Sequence, residues 1–188
     1  MRARSASHRS SVLIPWEPAM TKAFRFLPAV VAFCALCSPA VAGDADMLAS
    51  FAGSWSGKGK FRLTTGSSPV SVSCALDADT SPTSLSLDGK CRGMVVVSRK
   101  FGVKLTANGA GFSGSYVGST TGPAGLSGAL SGDAFDLSIR WAKAVNGDRD
   151  AQMRVQKVGE NRMKLTTIDV DPKTGKQVVT CEIDLSRG

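Results

Sequence analysis

The feature that most constrains the fold of this sequence is a two-residue alternation of apolar and polar side chains, which recurs in short segments from Trp55 onward. Its clearest example runs from Phe135 to Trp141, where every second residue is apolar. This period is that of a β-strand with one buried and one solvated face. Gly, Asn, Asp and Pro separate the segments, as at 146–148 and 171–176, and favour turns. The pattern predicts an all-β chain of antiparallel hairpins.

Short strands in this number, about eight to ten, indicate a sandwich or a barrel. A closed barrel leaves no strand edge free to pair with another molecule. We therefore expect an antiparallel up-and-down barrel, with one short helical turn at Asp46–Phe51 ahead of the first strand. Turns are expected at Asp77–Pro82 and at Arg99-Lys100. The glycine-rich strands between 109 and 132 are expected to lie close to the backbones of their neighbours.

An export signal precedes this domain. Lys22 and Arg25 lead into an apolar run of about a dozen residues, which is too short to span a membrane, and Ala40-Val41-Ala42 supplies a small-residue cleavage site. We expect cleavage after Ala42 and a periplasmic or secreted mature chain without a transmembrane segment. Residues 1–19 are interpreted as an unstructured extension or a mis-called start, 20–42 as the signal peptide, and 43–188 as a single domain.

Removal of the leader changes which reactive and charged side chains the mature protein has. The leader holds the only histidine, His8, with five of the 23 basic and one of the 15 acidic residues, so the mature net charge is +4 rather than +8. Without histidine, Ser-His-Asp and Cys-His catalysis and histidine-ligated zinc or haem are excluded. The domain is therefore expected to be non-enzymatic, with no catalytic residue, no metal and no cofactor.

The charged residues offer few other sites. Asp148 with Asp150 and Asp169 with Asp171 form two acidic pairs, but calcium takes about six to eight oxygens, so all four are interpreted as solvated turn acids. With one tyrosine in the chain, too few aromatic side chains accompany the basic residues for a nucleic-acid platform. Two basic sets are expected on strand faces, where anionic lipid or polysaccharide could bind: Lys58, Lys60 and Arg62, and Arg99, Lys100 and Lys104.

Three cysteines remain in the mature chain, and an oxidising compartment favours a disulfide. Cys74 and Cys91 lie on consecutive strand segments. Their pairing is favoured, because a bond across this hairpin would stabilise the fold by about 3 kcal/mol. A Cys74–Cys181 bond and three free thiols are the alternatives. Cys181 alternates with Val179, Ile183 and Leu185, which predicts a buried, unreactive thiol.

The first strand segment carries a family resemblance. Residues 49–63, ASFAGSWSGKGKFRL, resemble the entrance of lipocalin-like (calycin) β-barrels, in which a helical turn leads into a G-x-W motif, here Gly53-Ser54-Trp55. The resemblance implies that an Arg just past the last strand lies across the Trp, and Arg187 matches that position. The chain is also similar to small exported proteins of Gram-negative bacteria with a G-x-W-x-G opening and a cysteine pair. A third resemblance is to periplasmic β-barrel inhibitors of secreted metalloproteases.

Two functions follow as hypotheses. In the first, the glycine-interrupted inward face of the barrel leaves room for a small apolar ligand or lipid. In the alternative, the protein is a periplasmic inhibitor or interaction module that contacts an envelope protein through a loop or a cationic face. The candidate pocket residues of the first hypothesis are Trp55, Phe61, Val103, Phe112, Leu137 and Ile139.

Overall fold

The computed structural model describes residues 40–93, 97–109 and 111–188. The predicted extension, 1–19, and nearly all of the predicted signal peptide, 20–42, lie outside these ranges, as does His8. Export and cleavage after Ala42 therefore stay predictions. The structural description below concerns the predicted single domain.

Ten antiparallel strands form one closed barrel, preceded by one α-helix. Each strand pairs with its neighbours in sequence, and β1 closes the barrel by pairing with β10, so the topology is up-and-down. The predicted all-β, antiparallel up-and-down barrel of about eight to ten strands is confirmed. The elements are α1 (Ala40–Ser50), β1 (Gly53–Phe61), β2 (Val70–Ser81), β3 (Ser84–Gly93), β4 (Val97–Ala107), β5 (Phe112–Val117), β6 (Ala124–Ser131), β7 (Ala134–Val145), β8 (Asp148–Lys157), β9 (Arg162–Val170) and β10 (Gln177–Arg187).

Three boundaries differ from the sequence prediction. The helix begins at Ala40, so it is longer than the helical turn expected at Asp46–Phe51. β2 continues through most of the turn expected at Asp77–Pro82, and Arg99-Lys100 lie inside β4. In both strands the cross-strand ladder continues through these residues, and such tertiary pairing overrides local turn propensity.

The turn between β7 and β8 shows how local sequence sets a hairpin. Asn146 has φ 56° and Gly147 has φ 104°, and an Asn-Gly pair with positive φ at both positions forms a tight turn whose twist matches that of the strands. The Asn146 side-chain oxygen accepts a hydrogen bond of 3.1 Å from the backbone N–H of Thr65, in the β1–β2 connection. We call this end of the barrel the loop end, and the opposite end, which carries α1, the helix end.

Inward-facing glycines let neighbouring strands approach closely. A Cβ atom on Gly57 would lie 1.9 Å from the Asp184 carbonyl oxygen, and one on Gly114 would lie 1.7 Å from that of Lys104. Gly128 faces the next strand's backbone in the same way. This confirms the close backbone approach predicted for the glycine-rich strands, and it explains why these inward positions carry no side chain.

Candidate functional site

The helix end of the barrel is plugged by Trp55 of the G-x-W motif. Its indole is 1% exposed and donates a hydrogen bond of 2.8 Å from Nε1 to the Phe51 carbonyl oxygen. The Arg187 guanidinium carbon lies 4.4 Å from the centre of the Trp55 ring, and the guanidinium donates to the backbone oxygens of Ser50 and Ala52. Carbonyls at the end of a helix lack partners within it, so Arg187 joins α1, β1 and β10.

Lys157 supplies a second cation to the same indole, and the sequence analysis did not identify it. Its Nζ atom lies 4.5 Å from the Trp55 ring centre and donates to the Glu160 carbonyl oxygen at 2.7 Å. Desolvation lowers the pKa of Lys157, and the charge of Arg187 lowers it further. The one available signal was strand parity, because Lys157 continues the inward row of β8. The helix end is thus a packed plug.

Of the six predicted pocket residues, the structure places five in the packed core. Each is at most 3% exposed and belongs to one cluster that fills the barrel between the plug and its middle. Phe61, at the last position of β1, lines a cavity at the loop end. The five core residues are Trp55, Val103, Phe112, Leu137 and Ile139.

A cavity of about 310 Å³, which we call the apolar compartment, occupies the loop end of the barrel. Part of its wall on β2 and β3 is formed by short side chains or none, at Val72, Cys91 and Gly93. Its volume is at the lower end of the range typical of small-molecule sites. It is lined by Phe61, Leu63, Val70, Val72, Cys91, Gly93, Arg99, Lys100, Phe101, Tyr116, Gly118, Leu165, Cys181 and Ile183.

A second cavity of about 110 Å³, which we call the polar compartment, adjoins the first. Phe61, Tyr116 and Cys181 line both. The polar compartment is bounded elsewhere by buried side chains that can form hydrogen bonds. These are Trp141 on β7, Thr167 and Asp169 on β9, and Thr180 on β10.

Asp169 is the buried carboxylate of this compartment, with 3% of its surface exposed. Its interpretation as a solvated turn acid is wrong, because β9 extends to Val170 and its alternation turns residue 169 inward. Asp171 does lie in the turn, where its carboxylate accepts the backbone N–H groups of Lys173 and Thr174 at 3.0 and 2.9 Å. Two aspartates only two residues apart therefore have unrelated roles.

A β-bulge in β10 supplies the partner of Asp169. The register with β9 shifts between Val179 and Cys181, which leaves Val179 45% exposed and turns Thr180 inward. The Thr180 hydroxyl donates a hydrogen bond to Asp169 Oδ2. The predicted alternation of Val179 with Cys181 fails here, because one extra residue resets which face each side chain takes. No residue type in this stretch predicts the bulge from the sequence.

Three buried side-chain atoms of the polar compartment have no hydrogen-bond partner among the described residues. They are Nε1 of Trp141, Oγ1 of Thr167 and Oδ1 of Asp169. Trp141 and Thr167 are 4% and 5% exposed. A buried polar group without a partner costs about 1–3 kcal/mol. The compartment therefore presents a fixed N–H donor, a hydroxyl and a carboxylate oxygen to whatever enters it.

Tyr116 and Cys181 stand between the two compartments. Burial raises the pKa of Tyr116 well above its ordinary value, and the charges of Cys181 and Asp169 raise it further. Burial, with a contribution from Glu182, raises the pKa of the Cys181 thiol to about 12. Both groups are therefore neutral near pH 7. Cys181 is half-buried against the cavity rather than within the core, and it forms no disulfide in the described part of the chain.

The predicted cationic faces are divided in the structure. Arg62 and Arg99 border the polar compartment, and the Arg62 guanidinium donates to the Ser67 carbonyl oxygen. Lys58 and Lys60 lie outside the barrel, where each is paired across strands with an acidic residue of β10. Charge therefore alternates along this outer face.

The predicted disulfide is confirmed. Cys74 and Cys91 occupy directly paired positions on β2 and β3, with 4.1 Å between their Cα atoms. Asp148 and Asp150 are exposed, and Asp150 forms an ion pair of 2.5 Å with Arg140. Over residues 40–93, 97–109 and 111–188, no group of three His, Cys, Asp or Glu residues is placed to hold a metal ion. The described helix is also too short to cross a membrane.

No protein-family model matches the chain, and neither does any curated protein sequence. Among solved structures, the chain resembles the S-type phycobiliprotein lyase CPES from Guillardia theta, with a TM-score of 0.49 and 13% sequence identity. The match covers 76% of this chain and 91% of the lyase.

Proposed function

We propose that this protein is an exported, non-enzymatic barrel that binds a small apolar ligand at its loop end. The observation that carries the proposal is the apolar compartment, whose 310 Å³ is walled mainly by apolar side chains of seven strands. Transfer of apolar ligand surface from water to such walls contributes about 25 cal/mol per Å². The packed helix end leaves the loop end as the side from which a ligand enters.

Export and the lack of catalysis are parts of the same proposal. Export is supported by the signal pattern of residues 20–42 and by the Cys74–Cys91 disulfide, since disulfides persist in oxidising compartments. Residues 43–188 contain no histidine. The raised pKa of Cys181 also makes its thiol a poor nucleophile, because the thiolate is the reactive form.

The alternative, an inhibitor or interaction module, gains no specific support from the described residues. Its cationic face would have included Lys58 and Lys60, but Asp184 and Glu182 lie opposite them. Lys164 also lies 3.6 Å from Glu182 and 3.4 Å from Asp184. A partner would therefore meet a surface of mixed charge.

Binding can be tested with the neutral apolar fluorophore N-phenyl-1-naphthylamine. The full chain is expressed with its own leader in a Gram-negative host and purified from the periplasm, where an N terminus at Gly43 is expected. The fluorophore should bind with one-to-one saturation and a blue-shifted emission. Recovery of the uncleaved chain in the cytoplasm would contradict export, and linear, unsaturable fluorescence would contradict the site.

A matched pair of variants locates the site. Val72→Trp places a large side chain in the apolar compartment and should abolish fluorophore binding. Val117→Trp makes the same kind of change on the neighbouring outer surface, where Val117 is 46% exposed, and should leave binding unchanged. Equal affinities for the two variants would place the fluorophore elsewhere.

A further inference from the structure

The polar compartment is built to hold its hydrogen-bonding groups in fixed positions. The Trp141 ring packs against Tyr116 with 5.8 Å between ring centres, and Asp169 is held by Thr180 from the β-bulge. Each nevertheless leaves one buried atom without a partner in the described chain, Nε1 and Oδ1. An apolar residue at either position would avoid the cost of burying these atoms. Their presence points to a partner that is not part of the barrel.

Two of the three atoms without a partner, Trp141 Nε1 and Asp169 Oδ1, need complementary partners, whereas the third, the Thr167 hydroxyl, can both donate and accept. The Trp141 indole can only donate a hydrogen bond, and the Asp169 carboxylate is an acceptor. Because both residues line the same cavity of about 110 Å³, a group that both accepts and donates is the chemistry that suits the two atoms together. Hydroxyl and carboxamide groups have both capacities.

The charges around the compartment disfavour an ionised group. A ligand carboxylate beside Asp169 would place two negative charges together in a buried site, and like charges strongly disfavour each other there. A ligand ammonium would pair with Asp169, but the basic residues Arg62 and Arg99 also line the compartment. A neutral group meets neither penalty.

We propose that the polar compartment recognises a neutral hydrogen-bonding end of the ligand, a hydroxyl or a carboxamide, while the ligand's apolar part fills the apolar compartment. This inference rests on the proposed function and adds the chemistry of the ligand's head group. Asp169 accepts from the head group, and Trp141 donates to it.

A head-group series tests the inference. Decan-1-ol, decanamide, decanoate and decylamine share their chain length and differ at the polar end. Each is used below its aggregation concentration to displace N-phenyl-1-naphthylamine from the purified protein at pH 7.5. The alcohol and the amide should displace the fluorophore at about tenfold lower concentrations than the acid and the amine, which corresponds to about 1.4 kcal/mol. Equal potency of all four, as expected if the compartment holds only water, or tighter binding of the acid or amine overturns the inference.

Two conservative variants assign the roles. Trp141→Phe keeps an aromatic ring but removes the N–H group, so the alcohol and amide should weaken about tenfold relative to the affinity of the same variant for the fluorophore. Asp169→Asn keeps the side-chain shape but removes the charge, so decanoate should gain at least about tenfold relative to decanol. Asp88→Asn makes the same change at an exposed position and should alter nothing. If the order of displacement potencies is the same in Trp141→Phe, Asp169→Asn and the wild type, neither side chain recognises the head group.

The outcomes separate the two proposals. If the fluorophore fails to bind to the wild-type protein, the proposed function fails. If the fluorophore binds and the head-group order is flat, only the inference about the polar compartment fails. The head-group series on the wild-type protein tests the inference even if Asp169→Asn does not fold, because that series requires no variant.

Discussion

At the scale of single residues, Arg187 combines three contacts that no other side chain could make together. Its flat guanidinium stacks on Trp55 and donates to two backbone oxygens near the end of α1. Gly53 provides the space, because a Cβ atom there would lie 2.8 Å from Arg187 Nη1. The G-x-W motif and the distant Arg are therefore one structural unit.

Truncation of Arg187 should destabilise the barrel. Arg187→Ala removes the stacking contact and leaves the Ser50 and Ala52 carbonyls short of donors, so we expect a loss of about 2–3 kcal/mol in the free energy of unfolding. Urea denaturation followed by far-UV circular dichroism measures it. Arg92→Ala, at an exposed position of β3, is the control and should cost less than about 0.5 kcal/mol. Similar losses for both variants would contradict the assigned role.

At the scale of elements, the inward glycines set how closely neighbouring strands pack. Gly114→Ala would place a Cβ atom against the Lys104 carbonyl oxygen, and backbone cannot rotate away as a side chain can. We expect it to cost about 1–3 kcal/mol. Gly66→Ala is the matched control, because no atom lies within 4 Å of its added Cβ. It should be neutral or slightly stabilising. Thermal unfolding of the two variants compares them, and a neutral Gly114→Ala would refute the close approach.

The disulfide links the two strands of the β2–β3 hairpin and stabilises it. Cys74 and Cys91 are separated by 17 residues, and the loop-closure entropy of such a bond corresponds to about 3 kcal/mol. The double variant Cys74→Ala, Cys91→Ala should lose this amount in urea unfolding. Its midpoint should not respond to dithiothreitol, whereas the wild-type midpoint should fall. A wild-type midpoint that is independent of reductant would show that the bond does not stabilise the fold.

Strand parity explains both what the sequence predicted and what it missed. Alternation in β7 and β9 correctly places one side of each strand inward, as for Trp141. The turn signal after Asp169 predicts a solvated acid, but β9 continues to Val170 and its alternation turns Asp169 inward. The bulge at Thr180 could not be predicted, since it depends on the register between β9 and β10. The polar compartment therefore becomes visible only when pairing is known.

At the scale of the whole molecule, the barrel is divided into a filled half and a hollow half. Large side chains from α1 and the strands fill the helix end, as in the stack of Phe51, Phe135 and Phe112 with ring centres 5.6 and 5.0 Å apart. The sequence shows which residues face inward but not whether they meet across the axis. This is why five predicted pocket residues belong to the core, while the cavity is lined by other residues near the loop end.

The hollow half should also determine how the fold responds to alkaline pH. The pKa of Cys181 is about 12 in the folded protein against an ordinary value of 9.0. Above pH 9 the unfolded state loses this proton while the folded state keeps it, so stability falls by at most about 1.4 kcal/mol per pH unit. The raised pKa of Tyr116 acts in the same direction above about pH 10. The lowered pKa of Lys157 acts in the opposite direction, because the unfolded state then binds more protons.

Comparison of the wild type with Cys181→Ala measures the contribution of the thiol together with its effect on the pKa of Tyr116, because Lys157 and the burial of Tyr116 are common to both proteins. Free energies of unfolding in urea are measured for each at pH 7.5, 9, 10 and 11. The difference between the proteins should be constant up to pH 9 and should then move in favour of Cys181→Ala by about 1–2.5 kcal/mol by pH 11. A difference that stays constant to pH 11 would mean that the thiol ionises as easily in the folded protein as in the unfolded chain. The Cys181 thiol would then be hydrated in the folded protein, and water would reach the position between the two compartments.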